Sequence, residues 1–153
     1  MLAKHKKIIG IAVIGVITVG FFVHLFSPRS AKSIFREHLV RPIPKSVKYL
    51  EAAAAGFNYD WDAHMSFSIA PEDLPTLLTA HNLQPTPKSS NAWTHYTNNF
   101  QWFYEQKGRI RINNPDDSEF YSAFENKGDI TTIYYLLADK RHEKIFFTKY
   151  MVF

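Results

Sequence analysis

The rhythm of hydrophobic and polar positions changes several times along this chain. Residues 8–26 are almost wholly apolar and carry no formal charge. Ala63, Met65, Phe67 and Ile69 then alternate with His64, Ser66 and Ser68, a period of two that predicts a half-buried strand. Leu74, Leu77, Leu78 and His81 fall at helical spacing. Two-residue alternation returns between residues 130 and 138, where both phases are largely apolar or aromatic, so this strand is expected to be central and covered on both faces.

Smaller signals set the boundaries. Ser27 and Pro28 close the first apolar stretch, and Ser30 can cap a short helix carrying Ile34, Phe35, His38 and Leu39 on one side. Pro42 and Pro44 end that helix. Residues 47–55 are ambiguous: Glu51 and the alanines after it favour helix, whereas Val47 and Tyr49 alternate with Lys48. A strand paired with the next segment is the preferred reading. Pro71, Glu72 and Asp73 open the following helix with Asp73 as its N-cap, and Asn82 stops it. Residues 84–92 read as a surface loop. Further strands are expected at 108–112, 120–124, 130–138 and 144–152, separated by turn residues around Pro115, Gly128 and Lys140.

The first stretch changes the picture most. Its nineteen residues would reach about 28 Å as a helix, against a bilayer core of about 30 Å. Lys4, Lys6 and Lys7 supply a basic flank, and Arg29 spoils a small-residue cleavage site near Ser30 and Ala31. The expectation is an uncleaved anchor, with a late-cleaved signal peptide or a buried helix as alternatives. The organisation expected is a basic tail at 1–7, a transmembrane anchor at 8–26, a juxtamembrane linker or short helix at 27–41, and one soluble domain at 42–153. The fold class is α+β: a single N-terminal transmembrane helix, then β-β-α and a four-stranded antiparallel meander.

Residues 1–41 carry a net charge of +6 and residues 42–153 a net charge of −2. The positive excess therefore suits lipid headgroups flanking residues 8–26, and the body has no basic stripe for nucleic acid. Basic residues on both sides of the span balance the rule that places positive charge inside. The expected placement is the bacterial inner membrane with the domain in the periplasm, because a long domain translocates despite some basic charge.

Pro44, Lys45, Ser46 and Val47, the strand through Phe67, and the turn Ala70, Pro71, Glu72, Asp73, Leu74 resemble small uncharacterised bacterial exported or membrane-anchored α+β domains. The resemblance covers residues 42–82 and implies paired strands followed by a helix. It implies no catalytic residue and no ligand.

Candidate chemistry is sparse. Asp60, Asp62 and His64 would share a face if all lie on a strand, and two carboxylates with an imidazole can hold a divalent ion. An acidic hairpin turn followed by a solvent-facing histidine explains the same residues and is preferred. No metalloprotease, phosphate-loop or nucleophile-elbow motif is present, and no cofactor is expected. Trp93, Tyr96, Phe100, Trp102, Phe103 and Tyr104 are crowded together. Most are expected in a core stripe, with Trp93, Tyr96, Trp102 and Tyr104 as a possible recognition surface. The function expected is a non-catalytic, membrane-anchored accessory or protein-binding domain acting on an envelope protein. An immunity-type protein that neutralises a toxin is the alternative, and a metal-dependent hydrolase the third reading.

Overall fold

A computed structural model of the chain describes residues 29–55, 62–100 and 117–153. Six strands form one antiparallel sheet: β1 (Lys48–Ala55), β2 (Asp62–Ser68), β3 (Gln84–Pro85), β4 (Ser118–Lys127), β5 (Ile130–Asp139) and β6 (Lys144–Val152), in the order β1-β2-β6-β5-β4-β3. Three α-helices accompany it: α1 (Ala31–His38), α2 (Leu74–Ala80) and α3 (Asn91–Asn99).

The alternating residues separate the sheet into two apolar faces. Met65, Phe67, Tyr134, Leu136, Ile145 and Phe147 lie in one core with Ile34 and Phe35 of α1, Leu39 just after it, and Leu74 and Leu77 of α2. Phe120, Tyr135, Leu137 and Phe146 lie in the other, against Trp93 and Tyr96 of α3. β5 is thus covered on both sides, as its two apolar phases require. Phe35 is fully buried and meets Phe67 edge-on, with ring centroids 5.1 Å apart. The domain therefore begins upstream of the Pro42 boundary, because α1 is part of its core.

Local sequence explains most of these elements. Ser30 caps α1 by accepting from the Ser33 N–H at 3.2 Å, and Ser90 caps α3 by accepting from the Trp93 N–H at 3.2 Å. Asp73 does not cap α2. It sits in a 3-10 turn, and its carboxylate accepts instead from the Ser46 hydroxyl. The alanine-rich segment is strand β1, since pairing with β2 from Ala52↔Met65 to Ala55↔Asp62 outweighs its helix propensity. Tyr49, at φ 53°, lies where the β1 register shifts.

The expected β-β-α arrangement followed by a four-stranded meander is corrected by the pairing. β2 joins β6 from Ala63↔Lys149 to Ser68↔Lys144, which merges the N-terminal hairpin with the C-terminal strands in one sheet. The strand expected at 108–112 lies outside the described residues. The described meander has three strands, and the sixth strand, β3, arises within the expected loop at 84–92.

Among the described residues no helix is long and apolar enough to cross a membrane. The span expected at 8–26 lies outside those residues. The described chain is an α+β domain with three α-helices and a six-stranded antiparallel sheet, and the expected transmembrane-helix architecture is corrected to that. The inner-membrane placement, lipid contact and periplasmic orientation have no element here to carry them. The membrane-anchored accessory, protein-partner and immunity-type expectations are corrected with them: no described element attaches the α+β domain to a membrane.

Candidate functional site

Two groups of polar side chains stand out, one over β2, β6 and β5 and one at the outer edge of β4. The first contains the sequence-predicted residues. A single row crosses all six strands through Ala53, His64, Thr148, Tyr135, Ser122 and Gln84. His64 Nδ1 lies 3.3 Å from Thr148 Oγ1, and Asp62 follows on the same face of β2. Burial lowers the His64 pKa, with Asp62 opposing it. Nearby, the Tyr135 and Tyr150 hydroxyls lie 3.4 and 3.2 Å from His95 Nδ1, while the Tyr150 and His95 rings stack at 5.4 Å.

These groups mainly satisfy one another and join α3 to the sheet. Asp60 lies outside the described residues, so the expected three-member cluster reduces to Asp62 and His64. Among the described residues, no group of three or more His, Cys, Asp or Glu is placed to hold a metal ion. Tyr96 is only 1 % exposed and packs against Phe120 and Tyr135, which makes it a core residue. Trp93 is half-buried, with its ring edge-on to Phe120 and Lys88 Nζ 5.2 Å from its centroid. Trp102 and Tyr104, the other two members of the expected recognition surface, lie outside the described residues.

The second group lines a cleft of about 630 Å³ between the end of α2, β3 and the outer edge of β4. Its origin is the abrupt change of chain direction after α2. Asn82 adopts a left-handed conformation at φ 52°, and Leu83 is buried. Asparagine tolerates that conformation better than most residues. Gln84 and Pro85 then pair with Ser122 and Tyr121, while the Thr86 N–H donates to the Phe120 carbonyl at 2.8 Å. Extending this register would set Asn82 opposite Phe124, but pairing stops at Gln84. β4 therefore continues past β3 and leaves an edge along the cleft.

The cleft wall is neutral and rich in hydrogen-bonding groups. Gln84 Nε2 donates to Asn82 Oδ1 at 2.9 Å, leaving the Gln84 side-chain carbonyl and the Asn82 NH₂ with further bonding capacity. Thr86 and Ser122 share a hydroxyl contact of 2.8 Å. Phe124 is 58 % exposed at the rim, an unusual position for a phenyl ring on a strand. Among the described residues of the lining, Glu125 is the one carboxylate and there is no Lys or Arg.

Below this wall, His81 stacks on Tyr134 with centroids 4.3 Å apart and an interplanar angle of 22°. The Tyr134 hydroxyl donates to Glu125 Oε2 at 3.0 Å. Burial, followed by the Glu125 contact, raises the Tyr134 pKa and keeps the phenol neutral. Burial lowers the His81 pKa more than the His38 and Leu39 carbonyls and Glu125 raise it. Among the described residues, His81 Nε2 is buried without a hydrogen-bond partner. The geometry therefore holds His81 as a neutral wall rather than as a charged ligand contact.

Gln84, Ser122, Phe124 and Glu125 were not prominent in the sequence. The available signal was Phe124 in phase with Phe120 on β4 but at the strand's exposed end. A second hollow, of about 510 Å³ on the other side of β3, is lined by Lys88, Glu119 and Tyr121 among others. Its Tyr121–Glu119 hydrogen bond already occupies its principal polar pair. Comparison with known proteins finds no matching family model, curated protein or solved structure.

Proposed function

We propose that this domain binds an uncharged, hydroxyl-rich small molecule, one or two sugar rings in size, in the cleft between the end of α2 and the edge of β4. The observation carrying this reading is the combination of exposed Phe124 with neutral amide and hydroxyl groups in a cleft of about 630 Å³. The C–H face of a sugar ring is apolar and packs on an aromatic face, whereas its rim of hydroxyls both donates and accepts. Gln84 and Asn82 offer both functions, and Glu125 can accept from neighbouring hydroxyls. Among the described lining residues an anion would meet Glu125 and no cationic side chain, so its charge would be poorly compensated there.

Calorimetric titration of the full chain with glucose, N-acetylglucosamine and their β-linked disaccharides tests this function. At least one should bind, and Phe124→Ala should weaken that binding at least about fivefold through loss of stacking. Phe124 is exposed, so the substitution should leave the fold intact. Failure of every sugar to bind, or binding indifferent to Phe124→Ala, would refute the proposal.

A further inference from the structure

β4 runs on past β3 with its outer edge open. Pairing with β3 ends at Gln84↔Ser122, and among the described residues no strand continues beside β4 from there to Lys127. The hydrogen-bond pattern fixes which main-chain groups face outward. The Thr86 N–H donates to the Phe120 carbonyl at 2.8 Å, so Phe120 and Ser122 present their main-chain groups to β3. β4 pairs with β5 without a register shift from Ser118 to Lys127, which keeps the alternation intact. Phe124 and Asn126 therefore aim N–H and C=O out of the sheet, while Glu125 and Lys127 turn theirs to β5.

An edge of this kind is a template for another strand. Its side chains decide which strand fits. Phe124, Glu125, Asn126 and Lys127 are all exposed. Glu125 uses Oε2 on the Tyr134 hydroxyl at 3.0 Å and keeps Oε1 for another donor. Lys127 forms no ion pair among the described residues.

A second copy of the chain can meet this edge in few registers. In an antiparallel pair related by a two-fold axis, outward-facing residues bond to outward-facing residues, so the axis passes through residue 124, 125, 126 or 127. An axis at 124 would require Asn126 to use the main-chain groups of Ser122, which β3 already holds. With the axis at 125, Glu125 opposes its own copy, and at 127 Lys127 does the same. Like charges directly opposite are destabilising. At 126 the charges become complementary: Glu125 and Lys127 of each chain stand opposite Lys127 and Glu125 of the other. That register also sets Phe124 beside Gly128 of the second copy, where nothing lies within 4 Å of the position a Cβ would take. The short β3 strands lie beyond the two ends of the paired segment.

We propose that two copies of this chain associate edge to edge through β4, with the two-fold axis at Asn126 and reciprocal Glu125–Lys127 pairs. The paired segment is short, so the association is a weak one, at the low end of interface size. It covers the rim of the cleft at Phe124 but does not depend on what the cleft binds.

Sedimentation equilibrium and hydrogen exchange of the full chain, from about 10 µM to about 1 mM, test the pairing. The average mass should rise toward twice the monomer value. Exchange at the Phe124 and Asn126 amides should slow at least about threefold over that range, with no change in β1 at the opposite edge. Lys127→Glu opposes like charges in every register and should weaken association at least about fivefold. The double exchange Glu125→Lys with Lys127→Glu restores opposite charges and should return it to within about threefold of wild type. Association through any other surface, the apolar residues 8–26 included, would leave both amides unprotected and ignore these charges. A wild type that stays monomeric at the highest concentration, protects neither amide, or responds alike to the single and double exchanges would overturn the pairing.

Discussion

Replacing Phe35 by Ala tests whether α1 is a structural member of the domain. Phe35 has no solvent exposure, packs edge-on against Phe67 at 5.1 Å, and shares a core with Leu74, Leu77 and Phe147. Truncating a buried phenylalanine costs roughly 3 to 5 kcal/mol, because apolar contacts disappear and surrounding groups refill the cavity only partly. That is a large share of the about 5 to 15 kcal/mol stabilising a typical domain. At about 4 °C per kcal/mol for a domain of this size, the midpoint of thermal unfolding should fall by roughly 12 to 20 °C. Urea unfolding should show the same loss through a lower midpoint with little change in slope. Lys32→Ala, at an exposed position on the same helix, should change stability by no more than about 0.5 kcal/mol. A Phe35→Ala loss below about 1 kcal/mol would refute the assignment of α1 to the core.

Other substitutions probe separate interactions. Ser90→Ala removes the cap of α3 and should cost about 1 kcal/mol by urea unfolding. Gly128→Ala should cost about 1 kcal/mol despite open space around the new methyl group, because φ is +63°. Tyr134→Phe removes the hydroxyl bond to Glu125 and should cost about 1 kcal/mol at neutral pH. Burial pushes the Tyr121 phenol up to about 12, with Glu119 adding to the shift. Its neutral form is therefore favoured by the fold: this contribution is intact below the ordinary tyrosine value of about 10 and is lost as pH rises toward about 12. Urea midpoints should fall between pH 9.5 and 12, and Tyr121→Phe should reduce that fall.

Local periodicity made β2 and β5 legible because each alternating residue had a defined burial fate. The opposite phases of Met65 and His64, and the two apolar phases around Tyr134 and Tyr135, already contained that information. Pairing between Ala63 and Lys149 was not legible, since nothing local specifies which distant strand supplies an edge. β3 escaped for a different reason: two residues, one a proline, are too few to establish a period. The alanines of β1 show tertiary pairing overriding intrinsic helix propensity.

The cleft was still less visible. Its polar residues look like ordinary surface residues until the left-handed turn at Asn82 brings them against β4. His81 was legible only through its helical spacing with Leu74, Leu77 and Leu78, although it stacks on Tyr134 beneath that cleft. Lys149 did leave a sequence clue: it follows Ile145 and Phe147 in the same alternating phase, where a charged residue is out of place. His38, whose Nδ1 lies 3.5 Å from Lys149 Nζ, lay in the apolar stripe of α1, but their approach required the three-dimensional fold.

The most direct test of the binding account is an amide nuclear magnetic resonance titration of the full chain with glucose, N-acetylglucosamine and their β-linked disaccharides. Binding by at least one sugar should shift resonances at Asn82, Gln84, Ser122, Phe124 and Glu125 together, with smaller changes around Thr148 and His64, two and three strands away from β4. Saturating shifts confined to those distant strands, or no saturable shifts with any sugar, would contradict the assignment of the cleft.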